Sequence, residues 1–240
     1  VSSPSAARAL QEAAASRGVQ LGCHLKIDTG MNRFGFRHDN LHNMMPGVFG
    51  SANLRFDAIY THFATAENPE GQLFREQQVR FRAAVVELES LGASNFRRHS
   101  ANSAALIADR TSWYEAVRPG LLLYGVWPPD AAVPEGLQIR QVMSLRSRIV
   151  AVKGMRVGET SGYGARFRAR RPTRIAIVPA GYADGLDLRL SDGGQVLVRG
   201  RRVSIVGSVC MDSITIDVTE LDVQPGDEVV IIGTQESDRI

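Results

Sequence analysis

A change of hydrophobic period partway along the chain limits its fold more than any single residue does. Before about residue 127, helix-like and strand-like segments alternate; after the Pro-rich stretch VWPPDAAVPEG the helical period vanishes. From about Gln141 the chain reads as short alternating strands, SLRSRIVAV, RIAIVPAGY, QVLVRG, RVSIVGSVCM, SITIDV and DEVVIIG, separated by Gly, Asp and Arg turns. An α/β domain over residues 1–135 followed by an all-β domain over 136–240 is therefore expected. In the first part, Ser3 and Pro4 suit an N-cap and first helical position, Gly18 suits the helix stop, and CHLKID reads as a buried strand. Residues 71–90 place Phe74, Phe81, Val85 and Leu88 on one helical face. The apolar runs IYTHFA, RRHSANSAALI and VRPGLLLYG complete a series of strand, loop and helix units, which implies a parallel sheet with function at the C-terminal strand ends.

Composition narrows the function classes. With 240 residues and 44% hydrophobic content, the chain can bury a substantial core. No apolar run approaches the roughly 18 residues of a membrane span, and VSSPSAARAL lacks the charged and apolar regions of a signal peptide. No starting methionine is present, so processing or an origin inside a longer protein is expected. Cys23 and Cys210 are far apart and lack metal-ligand spacing, which suggests reduced thiols in the cytoplasm and no metal site. The formal charge of +3 is dispersed, and the dense run RFRARRPTR reads as a solvated loop and strand edge rather than a nucleic-acid surface.

Four strand ends in the first part offer polar groups: Lys26 with Asp28 and Arg33, His62, Asn102 with Ser103, and Arg118 with Gly120. Taken singly, each has an ordinary structural explanation, but groups presented at the same end of successive units suggest one shared site. Ser103 opens a helix directly after a strand and Gly120 lets backbone N–H groups approach a ligand, so the pair suits an anion. In the β part, Tyr163 and Tyr182 lie between or beside glycines, and Met211 with Asp212 is expected to end an apolar strand. A phenol becomes a base only where its pKa near 10 is lowered. Lysine occurs only at Lys26 and Lys153, among 28 basic residues.

The stretches HLKIDTGMNRFGF, YTHFATAE, ANSAAL, VRPGLLLYG, SGYGARF, PAGYADG and VGSVCMDS, in this order, resemble the alanine racemase family across nearly the whole chain. The resemblance implies the C-terminal half of a TIM-like (β/α)8 barrel followed by a β-rich domain. It implies an isomerase that uses pyridoxal 5'-phosphate to interconvert L- and D-alanine for peptidoglycan, as a bacterial, cytoplasmic homodimer with shared active sites. Tyr163 would exchange the α-proton on the L-alanine side, with His62 and Arg118 behind it as a cationic relay that lowers its pKa. Arg118 would face the cofactor's ring nitrogen and, because it does not yield its proton, suppress transamination. Asn102, Ser103, Gly120 and Leu121 would hold the phosphate. Arg33 would contact the cofactor's phenolic oxygen and the substrate carboxylate, and Met211 would offer that carboxylate its backbone N–H from the partner subunit. Lys26 would be carbamylated and brace Arg33. Glu67, Tyr182 and Arg189 would line the path by which substrate enters.

The family's cofactor lysine lies in a segment of the type KANAYGHG, which these residues do not contain, and neither Lys26 nor Lys153 replaces it. The family's C-terminal phosphate-binding tyrosine is likewise missing from GTQESDRI. The chain is thus expected to be an internal fragment that alone neither bonds the cofactor nor racemises alanine. A broad-specificity amino-acid racemase, or a non-catalytic pyridoxal-phosphate-binding protein on the same fold, are the alternatives the sequence leaves open.

Overall fold

The computed structural model describes residues 1–132 and 134–240, and the chain divides into two units, Val1–Arg140 and Gln141–Ile240. The division falls a few residues beyond the expected 135/136, and strand pairing resumes at Leu145. Position 133, inside the Pro-rich stretch, lies outside the described residues. Among those residues no helix is long and apolar enough to cross a membrane.

Unit one begins as its capping residues dictate. The Ser3 side chain accepts the Ala6 N–H, Pro4 takes the first helical position, and α1 (Pro4–Ser16) ends just before Gly18, whose φ is 63°. Next come β1 (Leu21–Asp28), β2 (Phe36–Arg37), α2 (Leu41–Phe49), β3 (Leu54–Tyr60), α3 (Gln72–Ser90) and β4 (Arg97–His99). The strands form a sheet of order β2-β1-β3-β4 in which every pairing is parallel. Period-two alternation sorts its faces. Leu25, Ile27 and Ile59 are buried in one cluster with Phe81, Val85 and Leu88 of α3. Lys26 is in register with Tyr60, and Tyr60 with His99, so these residues form one row across β1, β3 and β4.

The fourth expected strand end is not a strand. VRPGLLLYG forms a short helix, α5 (Gly120–Leu123), after the brief helix α4 (Ser103–Ala108). Pro119 has no N–H to give to a ladder, and the segment is tied instead through the Arg118 N–H to Ala101 O at 2.9 Å. Unit one is the α/β part-barrel the sequence implies, with Arg118 delivered by a loop.

Unit two is β-rich, as expected. Its strands are β5 (Leu145–Arg148), β6 (Ala151–Met155), β7 (Thr160–Ser161), β8 (Phe167–Arg168), β9 (Thr173–Val178), β10 (Gln195–Val198), β11 (Arg201–Ser204), β12 (Ile214–Asp217), β13 (Glu228–Ile232), β14 (Thr234–Gln235) and β15 (Asp238–Arg239). Two antiparallel sheets, β11-β10-β13-β5 and β12-β9-β6, enclose a core that includes Ile149, Val178, Val196, Ile205, Ile216 and Val229. The expected strand SLRSRIVAV is split between the two sheets, as β5 and β6. Met211 and Asp212 do not end a strand: β11 stops at Ser204, and Gly207, at φ 73°, turns the chain into a loop. The Asp192 carboxylate holds that turn by accepting the Gly207 N–H at 2.6 Å.

Phe81 on α3 is fully buried, with its ring edge-on to Tyr114 at 5.6 Å. Phe81→Ala is expected to destabilise the protein by about 3–5 kcal/mol, read as a lower urea midpoint in equilibrium unfolding.

Candidate active site

Three parallel strands place three unlike side chains in one row, and the contacts along it are aromatic and cationic. Tyr60 stacks on His99 with centroids 4.8 Å apart and planes 11° apart. The Lys26 ammonium lies 5.7 Å from the Tyr60 ring and 5.7 Å from the Phe34 ring, and the Arg118 guanidinium lies 5.2 Å from the Tyr60 ring. A lysine at a strand end would ordinarily reach solvent, but Lys26 is only 7% exposed. Its burial, and then the nearby Arg33 and Arg118 charges, lower its pKa.

Arg118 is the junction of this row with the next loop. Its Nη1 donates to His99 Nδ1 at 2.7 Å and to His99 O at 3.1 Å. Its Nη2 donates to Thr61 O at 2.8 Å, to Ser100 O at 3.1 Å and to His62 Nδ1 at 3.2 Å. Among the described residues the Nε–H has no acceptor. Because a guanidinium only donates, both histidines must accept at Nδ1 and carry their proton on Nε2. The second ring nitrogen of His99 lies 3.1 Å from His24 Nδ1, so the same order extends one ring further. Burial, then the Arg118 charge, lowers the pKa of His62 and of His99 to about 4. The relay is thus not cationic throughout: the charge stays on Arg118, and His62 is a neutral ring with an Nε2–H to offer.

His62, Glu67, Asn102, Ser103, Arg118, Gly120 and Leu121 line one cavity of about 460 Å³. Asn102, rather than Ser103, caps α4, its side chain accepting the Ala105 N–H at 3.0 Å. The Ser103 hydroxyl accepts the Leu122 N–H at 3.3 Å and ties α4 to α5. The N–H groups of Ser103, Ala104 and Leu121 have no acceptor among the described residues, so two helix starts offer free donors to the same space. A Cβ added at Gly120 would meet nothing within 4 Å. Free N–H groups, open space and the half-buried Arg118 cation together suit a phosphate. Arg33 is exposed and forms no hydrogen bond among the described residues; it follows a turn in which the Asp28 carboxylate accepts the Gly30 and Asn32 N–H groups.

In unit two, Tyr163 is 78% exposed, between Gly162 and Gly164 at φ 76° and 70°. Its carbonyl accepts the Ser208 hydroxyl at 3.2 Å, which links it to the loop carrying Met211. Tyr182 joins the same loop: its N–H donates to Cys210 O, and that of Ala183 to Met211 O, each at 2.9 Å. A Cβ on Gly181 would lie 2.4 Å from both carbonyl oxygens, so only glycine permits this approach. Met211 is 60% exposed. Arg189 is held over Asp187, Nε to Oδ1 at 3.0 Å, and this pairing lowers the Asp187 pKa to about 2. Cys23 and Cys210 are free.

Residues 1–128 match the family model described as alanine racemase, N-terminal domain, and residues 142–240 that of alanine racemase, C-terminal domain. The chain belongs to the alanine racemase family. Alanine racemase 2 of Caldanaerobacter subterraneus subsp. tengcongensis is 40% identical over 233 residues, 96% of this chain and 60% of that protein. The alanine racemase of Bacillus anthracis, solved with bound L-Ala-P, superposes with a TM-score of 0.90 at 31% identity, covering 100% of this chain and 62% of that one. That of Bartonella henselae, solved with covalently bound pyridoxal phosphate, gives 0.82 at 28% identity over 97% of this chain and 63% of that one. The chain therefore spans about 60% of the length of the alanine racemases it matches.

The sequence reading of this alanine racemase family chain missed His99, His24, Tyr60 and Gln77. The signal available was the parity of three strands: once Lys26, Tyr60 and His99 are in register, their side chains share a face. Because His62 and His99 titrate near 6.5 in the unfolded chain and near 4 in the folded one, the unfolded state binds more protons between these values. Stability is therefore expected to be complete above 6.5 and to fall as pH drops toward 4, seen as a declining urea midpoint. Replacing Arg118 by Met should raise the pKa of both rings in imidazole NMR titrations.

Proposed function

We propose that the protein containing this chain is an alanine racemase that uses pyridoxal 5'-phosphate, acting as a cytoplasmic homodimer and supplying D-alanine for bacterial peptidoglycan. The observation that carries this reading is the single cavity in which the charged Arg118, the neutral His62 and the free N–H groups of two helix starts converge. The alanine racemases it resembles, including the Bartonella henselae protein with covalently bound pyridoxal phosphate, support it.

The donor set fits the cofactor. The N–H groups of Ser103, Ala104 and Leu121, with the Asn102 cap and the open position at Gly120, would hold the phosphate. The Arg118 Nε–H would meet the ring nitrogen and leave it unprotonated, since a guanidinium does not yield its proton. When bound, pyridoxal phosphate supplies the electron withdrawal that acidifies the Cα–H of alanine. The β domain would serve the partner subunit's site: there its Met211 N–H would hold the substrate carboxylate together with Arg33, and its Tyr163 would take the proton from Cα of L-alanine at the phenolic oxygen. His62, neutral and protonated at Nε2, would donate to that oxygen and favour phenolate by a hydrogen bond, the net charge staying one residue back on Arg118. Glu67, Tyr182 and Arg189 would line the approach. Neither lysine of these 240 residues, Lys26 or Lys153, stands in a segment of the type that carries the family's cofactor lysine.

Lys26 has the environment a carbamate needs. Its lowered pKa raises the fraction of neutral amine, which can attack the carbon of carbon dioxide; one C–O π pair moves to oxygen and the nitrogen releases a proton. The resulting anion would be attracted by Arg33 and Arg118, whose charges disfavour the ammonium.

The full-length protein is expected to racemise alanine in preference to serine, lysine or arginine. Tyr163→Phe should lower kcat by about 10²–10⁴-fold with pyridoxal phosphate still bound by absorbance; unchanged racemisation would refute the assigned base. Isotope-labelled bicarbonate should give a carbamate carbonyl NMR signal that Lys26→Gln abolishes.

A further inference from the structure

An amide stands where the core calls for an apolar side chain. On α3 the buried stripe runs Phe74, Gln77, Phe81, Val85 and Leu88, and Gln77 is 0% exposed. Burying an amide there is unfavourable unless each of its polar atoms is bonded. All are. Gln77 Oε1 accepts the Ala64 N–H at 2.9 Å, while Nε2 donates to His62 O at 3.0 Å and to Thr29 Oγ1 at 3.1 Å. Gln77 thus grips the backbone immediately after the His62 side chain, at the two peptide groups flanking Phe63, and reaches the loop after β1 as well.

The grip continues inward through hydroxyls. Thr29 Oγ1 lies 2.7 Å from Thr61 Oγ1, both residues are fully buried, and Thr61 O accepts from Arg118 Nη2 at 2.8 Å. Arg80, one turn further along α3, fixes the same loop through Thr29 O at 3.0 Å. The helix holding the clamp is anchored by Phe74 and Phe81, each packed in a different buried cluster, so it is a firm base. The His62 backbone at Thr61–Ala64 is outside the ladder, since β3 ends at Tyr60. Nothing in the sheet itself sets where the ring meets Arg118.

We propose that Gln77 is a positioning residue for proton exchange: through His62 O, the Ala64 N–H and the Thr29–Thr61 hydroxyl pair it holds the His62 ring and Arg118 at hydrogen-bonding distance. This rests on the racemase reading for the reaction it serves, while the positioning itself can be read without turnover.

The test uses the full-length protein, with His62 followed by imidazole nitrogen NMR and racemisation measured in parallel. Wild type should show one tautomer, with the proton on Nε2. Gln77→Met, of similar length but without hydrogen bonds, should mix the tautomers and lower kcat by about 10²-fold with little change in KM. It should also raise the α-deuterium isotope effect more for L-alanine than for D-alanine. Gln77→Glu covers the case in which the Met variant fails to fold. Its protonated carboxyl can still accept from Ala64 and donate once, so tautomer and rate should be retained at low pH and lost as pH rises, a titration absent from wild type. An unchanged His62 tautomer in the variants overturns the proposal, and so does an altered tautomer with unaltered racemisation. A wild type that does not racemise alanine, with the tautomer still lost in Gln77→Met, refutes the racemase reading and leaves the clamp standing.

Discussion

One guanidinium organises unit one. Arg118 spends its terminal N–H groups on His99, His62 and the carbonyls of Thr61, His99 and Ser100, which come from the ends of neighbouring strands. A planar group with fixed donor directions cannot satisfy partners on two strand-end loops unless those strands hold their register. Strand register therefore decides where the guanidinium's donors fall, and the guanidinium in turn fixes where the positive charge sits and which ring nitrogens face it. A lysine there would carry the charge but not the geometry.

That arrangement explains how two histidines bonded to a guanidinium stay uncharged. Burial removes the solvent that would stabilise a second cation, and the adjacent guanidinium opposes it further. Lys26 answers to the same logic, with two aromatic faces in place of an acid partner. The nearby acid, Asp28, is committed to backbone N–H groups of its own turn.

Much of this was legible in the residues. The cap at Ser3 and Pro4, the apolar face of α3 and the change to antiparallel strands after the Pro-rich stretch follow from local chemistry and periodicity. Other features depend on contacts distant in sequence. Pro119 and the backbone bond from Arg118 to Ala101 turn an apolar run that looks like a strand into a short helix. Asn102 caps α4 because its backbone is extended there, while Ser103 is already the first residue of the helix. Gln77 carries no local signal, because a glutamine on a helix is ordinary until its face is known to be buried. Met211 reads as a strand end, but Gly207 and the Asp192 carboxylate, fifteen residues upstream, divert the chain.

The close approach at Gly181 has a bearing on how this surface can vary. With the carbonyls of Cys210 and Met211 where its side chain would be, the position admits one amino acid, while Tyr182 and Met211 beside it stand in the open. Two loops far apart in sequence behave as a single rigid mount with interchangeable fittings. Substitutions at these two exposed side chains can therefore alter the surface one at a time, while the backbone that carries them stays constant.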